Sequence, residues 1–315
     1  MSIGIGLGLA GFPFSSPKAF LSWIDLCEEQ GVDSVWFSER IVSRQPQLEL
    51  MTTFGVVAGR TERLKFGMNA IVVPLRDPLV LAKECASLDY LSGGRLLPVF
   101  GVGGETNPEF RATNRNPRGR GAQSDEALDI IAALWTGEPV SYQGKYYQYG
   151  QAVISPKPAQ DPLPLWIGGS SEAAIRRTAR IGTGWLAGLQ SPEQVRPVVD
   201  AIRKQSAANG RPLDDDHYGA GFAFRFGSWD DPVVQRQAAG LARIPDGPDP
   251  ATYIAAGDAD AIAARVQEYI DAGISKFVLR PIAEDDGDIL ALTRRLAEEV
   301  IPRFARLRPA VSAAR

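Results

Sequence analysis

The stretch WIGGSSEAAIRRTARIGTGWLAG, residues 166–188, places a Gly-Gly-Ser-Ser turn between a short apolar run and an amphipathic segment. This turn has two interpretations. Ser170 or Ser171 can cap a helix that stops at Gly182. The free N–H groups of the same helix N-terminus can also bind a phosphate. The second interpretation requires a strand before the turn and a ligand-binding face around it.

Histidine and cysteine are too few in this chain for several common active sites. The single histidine, His217, lies in the acidic run DDDHYG, and the two cysteines, Cys27 and Cys85, lie in helix-like segments. A histidine-based zinc site, a histidine-dependent triad and a haem ligand are therefore disfavoured, and no carboxylates cluster with metal-ligand spacing. We interpret both cysteines as small buried apolar residues. Because at most one disulfide is possible, we expect a cytoplasmic protein.

The composition is that of a globular protein with a full apolar core. The chain has 315 residues, of which 44% are hydrophobic and 23% charged, and its formal net charge is -3. This charge argues against a nucleic acid or an anionic membrane surface as the main partner. No apolar run reaches the roughly 18 residues that a membrane-spanning helix needs. We expect one domain over residues 1–315, because α/β barrels of this size routinely form one.

Short apolar or β-branched runs alternate with longer helical patterns along almost the whole chain. The strand-like runs are residues 3–9, 33–37, 64–73, 96–101, 165–168, 184–187, 219–225 and 276–280. The helical patterns lie at about 17–30, 47–59, 77–91, 122–136, 172–181, 192–209, 259–272 and 286–307. This alternation predicts a parallel sheet, and its eight units favour closure into a (β/α)8 TIM barrel. An open doubly wound sheet is the alternative.

Residues 102–162 depart from the alternation. Residues 102–121 are rich in Gly, Asn, Pro and Arg, and a long polar loop inside a compact domain is usually functional, such as a lid, or else disordered. The helical pattern at 122–136 follows, and residues 142–162 predict a small hairpin with a proline-rich return. We therefore expect an insertion after strand 4 that consists of a lid loop, a helix and a hairpin.

In a barrel of this kind the ligand binds at the C-terminal ends of the strands. The rule selects Phe12 and Phe14 after strand 1, Ser38, Glu39 and Arg40 after strand 2, Asn69 and Ala70 at the end of strand 3, Gly101, Gly103 and Gly104 at the end of strand 4, Gly168, Gly169, Ser170 and Ser171 at the end of strand 5, and Arg225 and Arg280 at the ends of strands 7 and 8. Glycines let a flat ligand approach the backbone, and arginines bind phosphate or carboxylate. The face therefore suits a planar anionic cofactor better than a metal-activated water, while His217 is expected at the opposite end.

Each of these residues also has a purely structural interpretation. The glycines after strand 4 could form a tight turn, and Glu39 and Arg40 could pair with each other on the rim. Arg225 and Arg280 could close salt bridges across the barrel mouth, and the arginines of the 102–121 loop could be a solvated run. The gathering of these residues on one face, rather than any one of them, predicts a binding site.

The segment TERLKFGMNAIVVPLRDPLVLAKECASLDYLSGGRLLPVFGVGG, residues 61–104, resembles the core signature of the bacterial-luciferase-like family. DEALDIIAALWTG, PKPAQDPLPLWIGGSS and TARIGTGWLAG extend the resemblance over almost the whole chain. It implies a (β/α)8 barrel that binds reduced FMN or the deazaflavin F420 at the C-terminal mouth, and it suggests a homodimer through the early helices. VWFSERIVSR and GGRLLPVFGVGG look most like the branch assigned to F420, with FMN as the alternative cofactor.

The resemblance also assigns cofactor-binding residues by motif. Gly169, Ser170 and Ser171 would bind the cofactor phosphate, and the glycines from Gly101 to Gly104 would line the ring or its ribityl chain. The bond between Asn69 and Ala70 matches the position of a non-proline cis peptide behind the ring. These roles come from the family and not from composition or spacing.

The sequence departs from the family pattern after strand 2. Many family members have a histidine after the acidic residue there, whereas this chain reads Ser38-Glu39-Arg40. Glu39 or Arg40 is therefore expected to take the catalytic role. Phe12 and Phe14 are expected at the substrate, and Arg225, Arg280 or the loop arginines would orient an acidic substrate or the acidic tail of the deazaflavin.

Three functions remain open from the sequence. The leading hypothesis is an oxidoreductase that uses reduced F420 to transfer hydride to or from a small organic substrate. The second is an FMN-dependent monooxygenase, which would need a separate reductase because no NAD(P)H-binding fingerprint is evident. The third is a cofactor-binding protein without turnover.

Overall fold

A computed structural model of the chain describes residues 2–245 and 247–304. The strands are β1 (Gly4–Leu9), β2 (Ser34–Phe37), β3 (Lys65–Met68), β4 (Ile71–Val72), β5 (Leu96–Leu97), β6 (Val99–Gly101), β7 (Val140–Gln143), β8 (Gln148–Ala152), β9 (Trp166–Gly168), β10 (Gly184–Leu186), β11 (Tyr218–Ala220), β12 (Ala223–Phe226), β13 (Ile254–Gly257) and β14 (Lys276–Pro281). All of them pair in parallel except the antiparallel hairpin β7–β8.

The helices lie between the strands. They are α1 (Pro17–Glu29), α2 (Leu50–Arg60), α3 (Pro78–Ser92), α4 (Pro108–Ala112), α5 (Arg120–Trp135), α6 (Glu172–Ile181), α7 (Pro192–Ala208), α8 (Pro232–Leu241), α9 (Pro250–Tyr253), α10 (Ala259–Asp271), α11 (Asp286–Arg295) and α12 (Ile301–Phe304). A 3₁₀ turn spans Val73–Leu75, and a π-helical turn spans Leu296–Val300 between α11 and α12. The last three residues of the predicted helix 286–307 lie outside the described residues.

The parallel strands close into a ring, which confirms the predicted (β/α)8 barrel. Two of the predicted strands are each divided in two: β3 and β4 continue one another, as do β5 and β6. Around the barrel the order is β3/β4, β5/β6, β9, β10, β11/β12, β14, β1 and β2. β13 was not predicted, and it pairs with β12 at the C-terminal end of the barrel. The short helices α4, α8 and α9 were not predicted either.

Helix α3 shows how the sequence sets the position of a strand end. The Asp77 carboxylate accepts hydrogen bonds from the N–H groups of Leu79 (2.9 Å) and Val80 (3.1 Å), and Pro78 occupies the first helical position. The helix ends at Gly93, whose φ of +66° is a left-handed conformation that glycine adopts without steric cost. The chain then turns directly into β5 and β6, which carry Gly101 to the mouth of the barrel.

Large indole rings pack against glycines of the neighbouring strands. A Cβ at Gly67 would lie 2.3 Å from the Trp36 ring, and a Cβ at Gly184 would lie 2.3 Å from the Trp166 ring. Trp36 is fully buried, and its Nε1–H donates to Ser34 Oγ (2.9 Å). These glycines are therefore required for packing and not for ligand binding. Within the described residues, no helix combines the length and apolar character that a membrane crossing needs.

Candidate functional site

The floor of the C-terminal mouth is made by three strand ends that carry almost no side chain. The peptide bond between Asn69 and Ala70, between β3 and β4, is cis, as the family resemblance implied. A Cβ at Gly101 would lie 3.6 Å from the Ala70 Cβ, and a Cβ at Gly168 would lie 3.4 Å from it. The three positions therefore face one another across a narrow space that any larger side chain would fill.

The loop after β6 contains two further glycines, Gly103 and Gly104. Gly103 has φ of +67°, and a Cβ there would lie 2.9 Å from Val72 Cγ1, so the position needs glycine. Its carbonyl accepts a hydrogen bond from Arg120 Nε (3.0 Å), at the start of α5. Gly104 is exposed and has no heavy atom within 4 Å of a built Cβ. A Cβ at Gly103 would also lie 3.2 Å from the Phe110 ring, so packing accounts for this glycine, whereas Gly104 faces open space.

The Gly-Gly-Ser-Ser turn follows β9 and leads into α6, as predicted. Gly169 has φ of +102°, and its carbonyl accepts a hydrogen bond from Trp185 Nε1 (2.7 Å). Ser171 is the N-cap, because its Oγ accepts from the N–H of Ala174 (3.2 Å). The Ser170 hydroxyl donates to the Gln190 side chain. The first turn of α6 keeps amide N–H groups that have no partner within the helix, and these point out of the helix N-terminus.

Glu39 is buried and supports the backbone behind the floor. Its side chain is 4% exposed, Oε1 contacts the Arg76 guanidinium, and Oε2 accepts the N–H of Val72 (2.7 Å). Arg76 also pairs with Glu49 (3.0 Å). Burial raises the pKa of Glu39, although Arg76 and the Val72 N–H oppose that shift. The ion pair that Glu39 makes is therefore with Arg76 and not with Arg40, and sequence reasoning missed Arg76.

Arg40 lies on the surface of the mouth, and its side chain is 55% exposed. Its nearest carboxylate is Glu109, at 3.9 Å, which also accepts the N–H of Ile41 (3.3 Å). Glu109 is only 2% exposed, and its Oε2 has no hydrogen-bond partner among the described residues. Sequence reasoning missed Glu109 because α4 is too short to produce a periodic pattern. Through these contacts Glu109 joins the loop after β2 to the loop after β6.

The two aromatic residues expected at the substrate, Phe12 and Phe14, have different surroundings. Phe12 lines a cavity at the mouth, where it contacts Phe14 with ring centroids 5.4 Å apart. Phe14 is buried and packs against Phe20 (5.5 Å) and Trp23 (5.7 Å) of α1. Most of Phe14 therefore belongs to the apolar core, which corrects its expected placement on the ligand face.

The two strand-end arginines also differ. Arg225, at the end of β12, contacts two carboxylates, Asp231 (3.2 Å) and Asp288 (2.7 Å), and donates to the carbonyl of Ile282 (2.8 Å). For Arg225 the structural alternative, a salt bridge at the barrel mouth, is correct. Arg280, in β14, contacts the Tyr253 hydroxyl instead.

Residues with metal-binding side chains gather at the other end of the barrel. Ligand atoms of Asp214, Asp216 and His217 lie within 4.8 Å of one another, just before β11. His217 Nδ1 lies 2.8 Å from the carbonyl oxygen of Thr183. The prediction that His217 lies away from the C-terminal mouth is confirmed.

Known proteins share both the sequence pattern and the fold. The sequence profile described as luciferase-like monooxygenase matches residues 6–231. A protein of Beutenbergia cavernae named F420-dependent glucose-6-phosphate dehydrogenase is 28% identical over 92% of this chain and 94% of its own length. The F420-dependent tetrahydromethanopterin reductase of Methanopyrus kandleri has a similar structure, with a TM-score of 0.78 at 22% identity over 96% of this chain and 100% of that chain. A monooxygenase of Streptomyces bottropensis gives a TM-score of 0.81 at 20% identity, over 96% of this chain and all of that one. The profile match covers more than half of the chain, and the chain therefore belongs to the luciferase-like monooxygenase family.

Proposed function

We propose that this protein is an oxidoreductase that binds F420 at the C-terminal mouth and transfers hydride between this cofactor and a small organic substrate. The observation that carries the proposal is the floor formed by Ala70, Gly101 and Gly168, because strand ends without large side chains let a flat ring approach the backbone. The relative from Beutenbergia cavernae, named as F420-dependent, supports the choice of cofactor because it is similar over nearly the whole chain.

The residues present fit a planar cofactor that carries a phosphate. A Cβ at Gly101 or Gly168 would contact the Ala70 Cβ, and a larger side chain at either position would occupy the space that we assign to the ring. We propose that Gly169, Ser170 and Ser171 hold the phosphate, since the partial positive charge and free amides at the start of α6 favour an anion. F420 would supply the hydride chemistry when bound, and the protein would supply its orientation and its electrostatic surroundings.

We assign Glu39 a supporting role within this proposal. Both of its oxygens are engaged, by Arg76 and by the Val72 N–H, so it would hold the backbone next to Ala70 against the cofactor ring. Arg40 is the accessible charged group at the position where many family members have histidine, and it would contact the cofactor or the substrate. Asn69 directly precedes Ala70 and would line the cofactor site beside it.

The test of the function is a titration of the purified protein with F420 and with FMN, followed by reoxidation of the reduced cofactor without oxygen. We expect F420 to bind at micromolar concentrations and a substrate panel to reoxidise it anaerobically. Turnover that requires FMN and oxygen would instead support the two-component monooxygenase. Binding of F420 without any substrate-dependent reoxidation would support the third hypothesis, a cofactor-binding protein without turnover. Failure of both cofactors to bind below about millimolar, ~4 kcal/mol of affinity, would reject the proposal.

Ser170→Asp tests where the phosphate lies. The substitution places a negative charge beside the proposed phosphate, so the Kd for F420 should rise by at least about tenfold through like-charge repulsion. Ser170→Asn is the matched control, because it has a similar size and no charge, and it should change the Kd much less. Equal affinities for the aspartate and asparagine variants would place the phosphate elsewhere.

We also propose a homodimer that acts in the cytoplasm as a single domain, with residues 102–162 inserted after strand 4. Exposed apolar side chains on α2 and α3, namely Val56, Val80 and Leu91, support an interface through the early helices. Cys27 and Cys85 are buried and unbridged, as expected for a reducing compartment. Light scattering of the purified protein should give twice the mass of one chain.

A further inference from the structure

A cavity of about 340 Å³ opens at the C-terminal mouth between the ends of β1 and β14 and helix α8. Its walls include the apolar side chains of Leu9, Phe12, Val233 and Ile282. The polar side chains on the cavity wall are those of Gln45, Gln237 and Arg280. Among the described residues, Arg280 is thus the one ionisable side chain in the lining of this cavity. Sequence reasoning could not find the cavity, because α8 forms one of its walls and this helix was not predicted.

Arg280 lacks the counter-ions that Arg225 has. Arg225 pairs with two aspartates, whereas no carboxylate among residues 2–245 and 247–304 lies within ion-pair distance of Arg280. The Arg280 guanidinium contacts the Tyr253 hydroxyl, and its Nε is buried without an acceptor in the described part of the chain. Tyr253 is 2% exposed, and burial raises its pKa against the effect of Arg280, so it is a neutral partner. A partly buried cation without a counter-ion is costly unless a ligand supplies the charge.

The cavity lies across the mouth from the floor proposed for the cofactor. Around the barrel, β14 and β1 are separated from β6 and β9 by intervening strands on both sides. The C-terminal ends of β1 and β14 line the cavity, and the C-terminal ends of β6 and β9 form part of the floor. Because all barrel strands are parallel, the cavity and the floor open at the same end of the barrel. A small molecule anchored at Arg280 would therefore extend from the far rim of the mouth towards Ala70, Gly101 and Gly168.

We propose that the Arg280 cavity binds the carboxylate of a substrate that has one negative charge and an apolar body. This inference rests on the proposed function, because it names the substrate class of the same mouth. One guanidinium matches one carboxylate in a bidentate pair. A phosphate monoester carries nearly two charges, and the cavity lining, as far as the structure describes it, has no second cation to balance them. The substrate thus differs in class from the sugar phosphate named for the Beutenbergia cavernae relative.

The test compares three probes that share a six-carbon chain: hexanoate, hexyl phosphate and 1-hexanol. Binding to the wild-type protein is measured by calorimetry, with and without F420. Hexanoate should bind at least about tenfold more tightly than either other probe, as expected for a charge-assisted hydrogen bond. Tighter binding of hexyl phosphate, or equal binding of hexanoate and hexanol, would overturn the proposal.

Variants then assign the preference to the guanidinium. Arg280→Met should abolish the preference for hexanoate over hexanol and leave the Kd for F420 within about threefold, and Arg280→Lys should restore part of the preference. Arg236→Met is the matched control, because Arg236 lies on the exposed side of α8, where it faces Glu284 at 3.7 Å, and its loss should change nothing. A hexanoate preference that survives in Arg280→Met would also overturn the proposal. If F420 fails to bind the wild type while hexanoate binds through Arg280, the cofactor assignment is wrong and the carboxylate site stands.

Discussion

Gly168→Val is expected to weaken F420 binding by at least about a hundredfold, ~2.7 kcal/mol, while the melting temperature changes by only a few degrees. The Cβ of this residue would be 3.4 Å from the Ala70 Cβ, which is an ordinary contact that the folded chain accepts. The two additional methyl groups would project into the space that we assign to the cofactor ring. Gly168→Ala should have an intermediate effect, because it adds only the tolerated Cβ. The Kd values come from fluorescence quenching and the melting temperatures from circular dichroism.

Gly150→Val is the matched control for this experiment. Gly150 lies in β8 of the hairpin, is exposed, and has no heavy atom within 4 Å of a built Cβ. The same valine there should leave F420 binding unchanged. If Gly168→Val binds F420 as well as the wild type does, the ring cannot lie on this floor. If it unfolds, the graded Gly168→Ala variant still reports on the site.

Most of the barrel could be predicted from the sequence because its units repeat the same local signals. Strands of apolar residues, helix caps such as Asp77 and stops such as Gly93 act within a few residues of each other, so a single sequence displays them. The segment between β12 and α10 has the helix-start pairs Asp231-Pro232 and Asp249-Pro250, but sequence reasoning did not use them. Its helices α8 and α9 are short and each begins at a proline, and β13 has only four residues, Ile254–Gly257. These elements depend on packing at the barrel mouth, which periodicity does not encode.

The candidate site was predictable to the extent that it depends on strand ends. Ligands bind at the C-terminal ends of parallel strands, and this rule alone places Ala70, Gly101 and Gly168 at one end of the barrel. The rule does not show which charged residues remain free to contact a ligand. Glu39 and Arg225 are both engaged by partners far away in the sequence, Arg76 for the first and Asp288 for the second. Ion pairing between distant segments is a tertiary property, so the roles of these residues could not be read from strand order.

The arginine of the motif LSGGR has a structural role that the sequence gives no means to infer. Arg95 is 8% exposed, and burial lowers its pKa. Its Nη2 donates to the carbonyls of Ala58 and Thr61, each at 2.8 Å, and its Nη1 donates to Thr61 Oγ1 and the Leu64 carbonyl. These acceptors lie at the end of α2 and in the turn before β3. The guanidinium therefore ties α2 and β3 to the turn that starts β5, and β3 and β5 lead directly into the strand ends that form the floor.

Arg95→Met is accordingly expected to lower the free energy of unfolding by about 3–5 kcal/mol, because several buried carbonyl groups lose their donors. Arg95→Lys should recover little of this loss, since an ammonium group cannot reproduce the planar fork. Arg63→Met is the matched control: the Arg63 side chain is 70% exposed, pairs with Glu28 at the surface, and should contribute less than about 1 kcal/mol. Urea unfolding followed by circular dichroism measures all three variants. A loss below about 1 kcal/mol in Arg95→Met would show that water satisfies these carbonyls, and the barrel would then be held together at this position by apolar packing alone.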